Sequence, residues 1–174
     1  MKGPCPLLIT SVPHSGTQFY QWVIRPNRLE HVNSPRVDAL LESSKVIACA
    51  IRRPEDVWQS WWHRREGMNA DNTGPGPGWF YVWQRFTEVI NYGREIHFLP
   101  IDHPSRQERL SILSDAVGRK MEADYSDIRG ARTRDRGLAP EIDFETIYNI
   151  PIIKELYDGD ISKTPLITDD NTKT

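Results

Sequence analysis

Cysteine is scarce. Cys5 and Cys49 are the two in the chain, too few for a disulfide framework, so a reducing, cytoplasmic setting is expected. Long apolar runs are missing as well: no stretch approaches the ~18–20 residues that a membrane helix needs. The N-terminus lacks a basic segment followed by a long apolar core, so no signal peptide is expected. Charge of one sign is not in excess. The net charge is −2, which gives no reason to expect a nucleic-acid or anionic-membrane partner. His63, His97 and His103 have no metal-ligand spacing with cysteines or carboxylates, so no metal is expected. Internal repeats are absent.

What remains is a chain of 174 residues, the size of one domain and long enough to bury a core without staples. Its apolar runs are short and alternate with helical patterns, which argues for βαβ units around a parallel sheet. Strands are expected at 6–11, 28–32, 45–51 and 95–101, with the third buried on both faces. Helices are expected at 16–24, at 35–42 with Ser34 as a candidate N-cap, and at 54–65 with Pro54 at the first position. Further helices are expected at 79–92 and at 105–117, the latter amphipathic and ended by Gly118. Residues 69–78 read as a flexible loop, and 124–138 as a polar, arginine-rich one. Residues 141–157 read as a helix broken at Pro151, and 161–174 as a loose tail after a single domain over 1–160.

Two segments carry chemistry. The first is the strand–turn–helix around Pro13-His14-Ser15-Gly16-Thr17-Gln18. A strand that turns tightly into a helix collects backbone N–H groups and the positive end of a helix dipole, which suits a phosphate or sulfate. It is not the nucleoside-triphosphate loop, which needs a Gly-Lys-Ser/Thr ending. The second is Arg52-Arg53-Pro54-Glu55-Asp56-Val57-Trp58-Gln59-Ser60, at the end of the next buried strand. Arg52 offers a planar fork of donors for a phosphate. Two such segments suggest a ligand with two anionic ends.

The first segment resembles the Pro-Lys-Ser-Gly-Thr-Thr loop of the sulfotransferase family. The second resembles that family's Arg-Asn-Pro-x-Asp-x-x-x-Ser motif, with Arg52, Pro54, Asp56 and Ser60 in register. Between them, Glu30-His31-Val32-Asn33-Ser34-Pro35 with Leu40 and Leu41 is similar to the Lys-Thr-His-Leu-Pro…Leu-Leu stretch of cytosolic members. His31 precedes Arg52 by 21 residues, close to the family's spacing. The likeness spans residues 7–65, roughly a third of the chain.

That resemblance implies an α/β fold: a three-layer sandwich around a central parallel sheet, of the P-loop-containing hydrolase type. It implies 3′-phosphoadenosine 5′-phosphosulfate as donor, 3′,5′-adenosine bisphosphate as product, and a small-molecule or glycan acceptor bearing a hydroxyl or amine. Backbone N–H groups of Ser15, Gly16 and Thr17, with His14 and Gln18, would hold the phosphosulfate. Arg52 and Ser60 would hold the 3′-phosphate. His31 would be the catalytic base, with His14 standing where the family has its loop lysine. Arg53 replaces the family's Asn, and the late Arg-Lys-Gly element has an echo in Arg129-Gly130, Arg132, Arg134 and Gly137.

Plainer roles compete. Asp56 is expected to stabilise the first turn of its helix. Trp58, Trp61 and Trp62, and Trp79, Phe80 and Trp83, are expected to pack rather than to stack on adenine or line an acceptor cleft. The run at 129–136 is expected to be a solvated face. Two other functions stay open: a P-loop kinase-like phosphotransferase, for which the loop lacks a lysine and acidic magnesium ligands, and a non-catalytic nucleotide- or sulfate-binding module.

Overall fold

Strands β1 (Leu7–Ser11) and β3 (Val46–Ile51) lie side by side at the centre of a four-stranded sheet, flanked by β2 (Arg28–His31) and β4 (His97–Pro100). The order is β2-β1-β3-β4 and every pairing is parallel. The computed structural model describes residues 6–64, 67–127 and 138–157. Cys5, the arginine-rich run at 129–136 and the expected tail at 161–174 lie outside the described residues.

The central strands read as continuous apolar runs because both of their faces are covered. Leu7, Ile9, Ala48 and Ala50 point to one side, where α1 (Thr17–Ile24) and α5 (Arg106–Val117) pack through Tyr20, Ile24, Leu110 and Leu113. Leu8, Ile47, Cys49 and Ile51 point to the other. There α2 (Val37–Ser43), α3 (Pro54–Arg64), α4 (Pro77–Ile90), α6 (Glu145–Tyr148) and α7 (Pro151–Tyr157) supply Val37, Val57, Trp79, Ile147 and Ile153. The protein is therefore an α/β fold with an all-parallel sheet and seven α-helices among the described residues. None of these helices is long and apolar enough to cross a membrane.

Four expectations need correction. Ser34 does not cap α2: Arg36 holds that position, and Ser34 Oγ accepts the Arg36 N–H at 3.3 Å within the preceding turn. The segment at 69–78 is tied by hydrogen bonds. The Asn69 N–H donates to the Gly74 carbonyl at 2.9 Å, and the Thr73 N–H to Asn69 Oδ1 at 3.0 Å. α4 then opens at Pro77, because proline is preorganised for a first helical position. The amphipathic stripe of α5 is narrow: Leu110 and Leu113 are buried, but Ile112 is exposed. The break at Pro151 occurs as expected, with Pro151 opening α7.

Chain direction over the sheet positions the site. α1 leaves β1 over one face while α3 leaves β3 over the other. The connections diverge between the carboxyl ends of these neighbours, and open α/β sheets place a ligand crevice at such a switch point.

Candidate functional site

A cleft of about 1450 Å³ opens at the carboxyl ends of β1, β2 and β3. His14, Gly16, Thr17, Gln18, His31, Arg52 and Ser60 all line it. The eighth expected site residue, Ser15, is buried beneath the loop. Three segments well separated in sequence thus converge on one cavity, each delivered by the end of a parallel strand.

The first loop is shaped by two left-handed residues, His14 at φ 70° and Gly16 at φ 87°. A side chain at Gly16 would place its Cβ 2.6 Å from Ile101 Cδ1, so both backbone conformation and space require glycine. The fold-back lets the Ser15 N–H donate to the Val12 carbonyl at 3.2 Å. This corrects the expected cradle, since the Ser15 amide is already engaged. The donors left to a ligand are the first-turn N–H groups of α1, which have no intrahelical acceptors. No side chain caps that end.

Side chains weld the loop to its neighbours. His14 Nδ1 lies 2.9 Å from Ser60 Oγ, one turn before the end of α3, so the two expected anion sites touch directly. The Trp61 indole N–H donates to the Pro13 carbonyl at 3.2 Å, and its ring meets the His14 ring edge-on at 6.1 Å. Trp61 in turn packs edge-to-face with Trp79 at 5.3 Å, and Trp79 with Trp58 at 5.1 Å and Trp83 at 5.7 Å. The tryptophans are thus the floor beneath the loop. None of Trp58, Trp61, Trp62, Trp79, Phe80 and Trp83 lines the cleft.

Beside the loop, Thr17 Oγ1 lies 2.5 Å from Ser11 Oγ, which lies 3.4 Å from His31 Nδ1. Arg52 stands at the mouth of β3. Its neighbour Arg53 is anchored twice: its N–H donates to Asp102 Oδ2 at 2.9 Å, and its Nε lies 3.6 Å from Asp56 Oδ2. Asp102 also accepts the Tyr157 hydroxyl at 2.6 Å. α7 therefore braces the Arg52 loop through one carboxylate. Burial raises the Asp56 carboxyl above its usual range, while the charges of Arg52 and then Arg53 pull it back down. Asp56 belongs to the structure of the helix start, as its first-turn position suggested.

The outer cleft is basic. Arg25, Arg64, Arg119 and Lys120 line it, against Glu122 and Asp124. Lys120 pairs with Glu122 at 2.6 Å, and Arg119 donates to the Ile24 carbonyl at the end of α1. Trp22 is largely exposed at the rim. Among the described residues no cluster of three or more His, Cys, Asp or Glu is arranged to hold a metal.

Sequence reading missed Ser11 and Asp102. A signal existed for each: Ser11 is the polar terminus of an apolar strand, and Asp102 follows the β4 segment as Arg52 follows β3. What they bind was not visible, because their partners lie between 6 and 55 residues away. No protein-family model, no curated protein and no solved structure matches this chain, so what the cleft does has to be read from its own residues.

Proposed function

We propose that the protein is a sulfotransferase of the three-layer, P-loop type, moving a sulfuryl group from 3′-phosphoadenosine 5′-phosphosulfate to a hydroxyl or amine acceptor. One observation carries this reading: a single cleft gathers the loop residues His14, Gly16, Thr17 and Gln18, the strand-end His31, and Arg52 with Ser60. The residues fit the donor. The uncapped start of α1 and the bare Gly16 backbone suit the phosphosulfate, and Arg52 at the mouth of β3 suits the 3′-phosphate. The volume leaves room for an acceptor beside the nucleotide.

The bound donor supplies an activated sulfur–oxygen bond. The chain holds and orients it, which is the larger part of catalysis when charge spreads over peripheral oxygens. His31 takes the proton of the acceptor group as that group's oxygen or nitrogen bonds to sulfur. The electron pair of the broken bond leaves on the 5′-phosphate of the bisphosphate product. His14 donates a hydrogen bond where a lysine would place a charge.

His31→Ala should lower kcat by roughly 10²–10⁴-fold, the usual share of a general base, and leave 3′,5′-adenosine bisphosphate binding intact. Transfer of labelled sulfate measures the first, calorimetry the second; unchanged turnover removes His31 from the reaction. The replacement of the loop lysine by His14 favours one alternative, a binding module without catalysis. Tight bisphosphate binding with no transfer to any acceptor decides for it.

A further inference from the structure

Ser11 and His31 end adjacent parallel strands and face each other in register. The Val32 N–H donates to the Ser11 carbonyl at 2.9 Å, which holds the His31 end of β2 against Ser11. Ser11 is fully buried and its hydroxyl stands between two polar atoms: Thr17 Oγ1 at 2.5 Å and His31 Nδ1 at 3.4 Å. Thr17 and His31 both line the cleft. A buried hydroxyl thus links the loop that would hold the donor to the side chain that would accept a proton.

We infer that Ser11 sets which nitrogen of His31 carries the proton, and that an anion on Thr17 fixes the choice. This rests on the sulfuryl-transfer reading above. Each hydroxyl has one proton to donate, so the chain of three groups has two directions. In the first, Thr17 donates to Ser11 and Ser11 donates to Nδ1. The neutral ring then carries its proton on Nε2 and has no lone pair there for an acceptor's proton. In the second, Ser11 donates to Thr17, and Nδ1–H donates to Ser11. The lone pair is then on Nε2 and the ring is a base.

An anion selects the second direction. Phosphate and sulfate oxygens accept only, so Thr17 must spend its proton on them, in a charge-assisted bond about twice as strong as a neutral one. The Thr17 oxygen then accepts from Ser11, and Ser11 accepts from Nδ1–H. Donor binding and base competence become one event, transmitted by proton orientation with no movement of the backbone. The 3.4 Å contact is long for a hydrogen bond, as catalytic contacts often are before ligand binds, and it shortens when the direction is fixed. Ser11 is a positioning residue, since it touches neither donor nor acceptor.

Nitrogen NMR of the full chain with labelled histidine, at about pH 8 where imidazole is neutral, reads the tautomer directly. The His31 signal is assigned by its loss in His31→Gln. Titration with 3′,5′-adenosine bisphosphate should move His31 to the Nδ1–H form. Ser11→Ala and Thr17→Val should each abolish that move. Ser11→Ala should also lower kcat by roughly tenfold or more, the scale seen when a bond orienting a histidine is lost. Bisphosphate binding to the unmodified protein without a change at His31 overturns the relay and leaves the sulfotransferase reading standing; this arm needs no variant to fold. A shift that survives in Ser11→Ala also overturns it. Absence of bisphosphate binding overturns the sulfotransferase reading, and the relay with it.

Discussion

Gly16 bears two constraints that are separable by mutation. Its φ of 87° is a left-handed conformation that costs an L-residue roughly 1–2 kcal/mol, and its missing Cβ leaves space that Ile101 Cδ1 fills. Gly16→Ala therefore loses on both counts. Ile101→Ala removes the 2.6 Å collision with Cδ1, keeps a 3.2 Å contact with its own Cβ, and leaves the backbone cost. The double variant should remain less stable than Ile101→Ala alone by about 1–2 kcal/mol in urea unfolding. Equal stabilities would show that the collision with Ile101 is the whole reason for glycine. His14 bears the same left-handed backbone at φ 70° without being glycine. Histidine is among the residues that tolerate this region, and here the Ser60 and Trp61 contacts hold it. Strain in the loop is thus held by side chains from α3, the helix that follows Arg52.

At the scale of elements, the turn from β4 into α5 depends on a neutral histidine. His103 Nδ1 accepts the Ser105 N–H at 3.1 Å and lies 2.8 Å from Ser105 Oγ, at the residue where α5 begins. Burial, and then the charge of Arg109, holds the ring below the usual histidine range, against weaker opposing effects of Asp102 and Glu155. Protons therefore bind the unfolded chain more readily than the folded one. The stability this contributes is present above the unfolded value of about 6.5 and is lost as pH falls through the lowered folded value. The urea midpoint should drop as pH falls below about 7.5 through the usual imidazole range, and His103→Asn should flatten that part of the profile. Carboxylates titrate lower and remain in both proteins, so the difference between them isolates the ring. An identical slope in the variant would assign the pH dependence elsewhere.

For the whole molecule, what the amino-acid pattern exposed and what it concealed divide by the range of the interactions. β1 and β3 were legible because strands covered on both faces leave continuous apolar runs. The loop residues and Arg52 were legible because each motif is local. The floor of tryptophans, the Asp102 brace and the Ser11 link were not, because each joins residues that only strand order brings together. The narrow face of α5 was hidden for a related reason: which of its apolar residues is buried depends on what packs over it. Strand order also explains how a chain of net charge −2 forms a basic cleft, by drawing Arg25, Arg52, Arg64, Arg119 and Lys120 from four separate stretches. That local excess gives a test of the entire site. A ligand at about 100 times its Kd adds about 2.7 kcal/mol of stability, which for a chain of this size raises Tm by roughly 5–11 °C. 3′,5′-Adenosine bisphosphate should produce such a rise, adenosine should produce none, and added salt should reduce it as exposed charges are screened. Arg52→Ala should bring the response to the bisphosphate down to that of adenosine 5′-phosphate, because the 3′-phosphate has then lost its partner. If the bisphosphate and the monophosphate already stabilise the unmodified protein equally, Arg52 does not meet the second phosphate, and the pairing of the two loops around one donor is wrong.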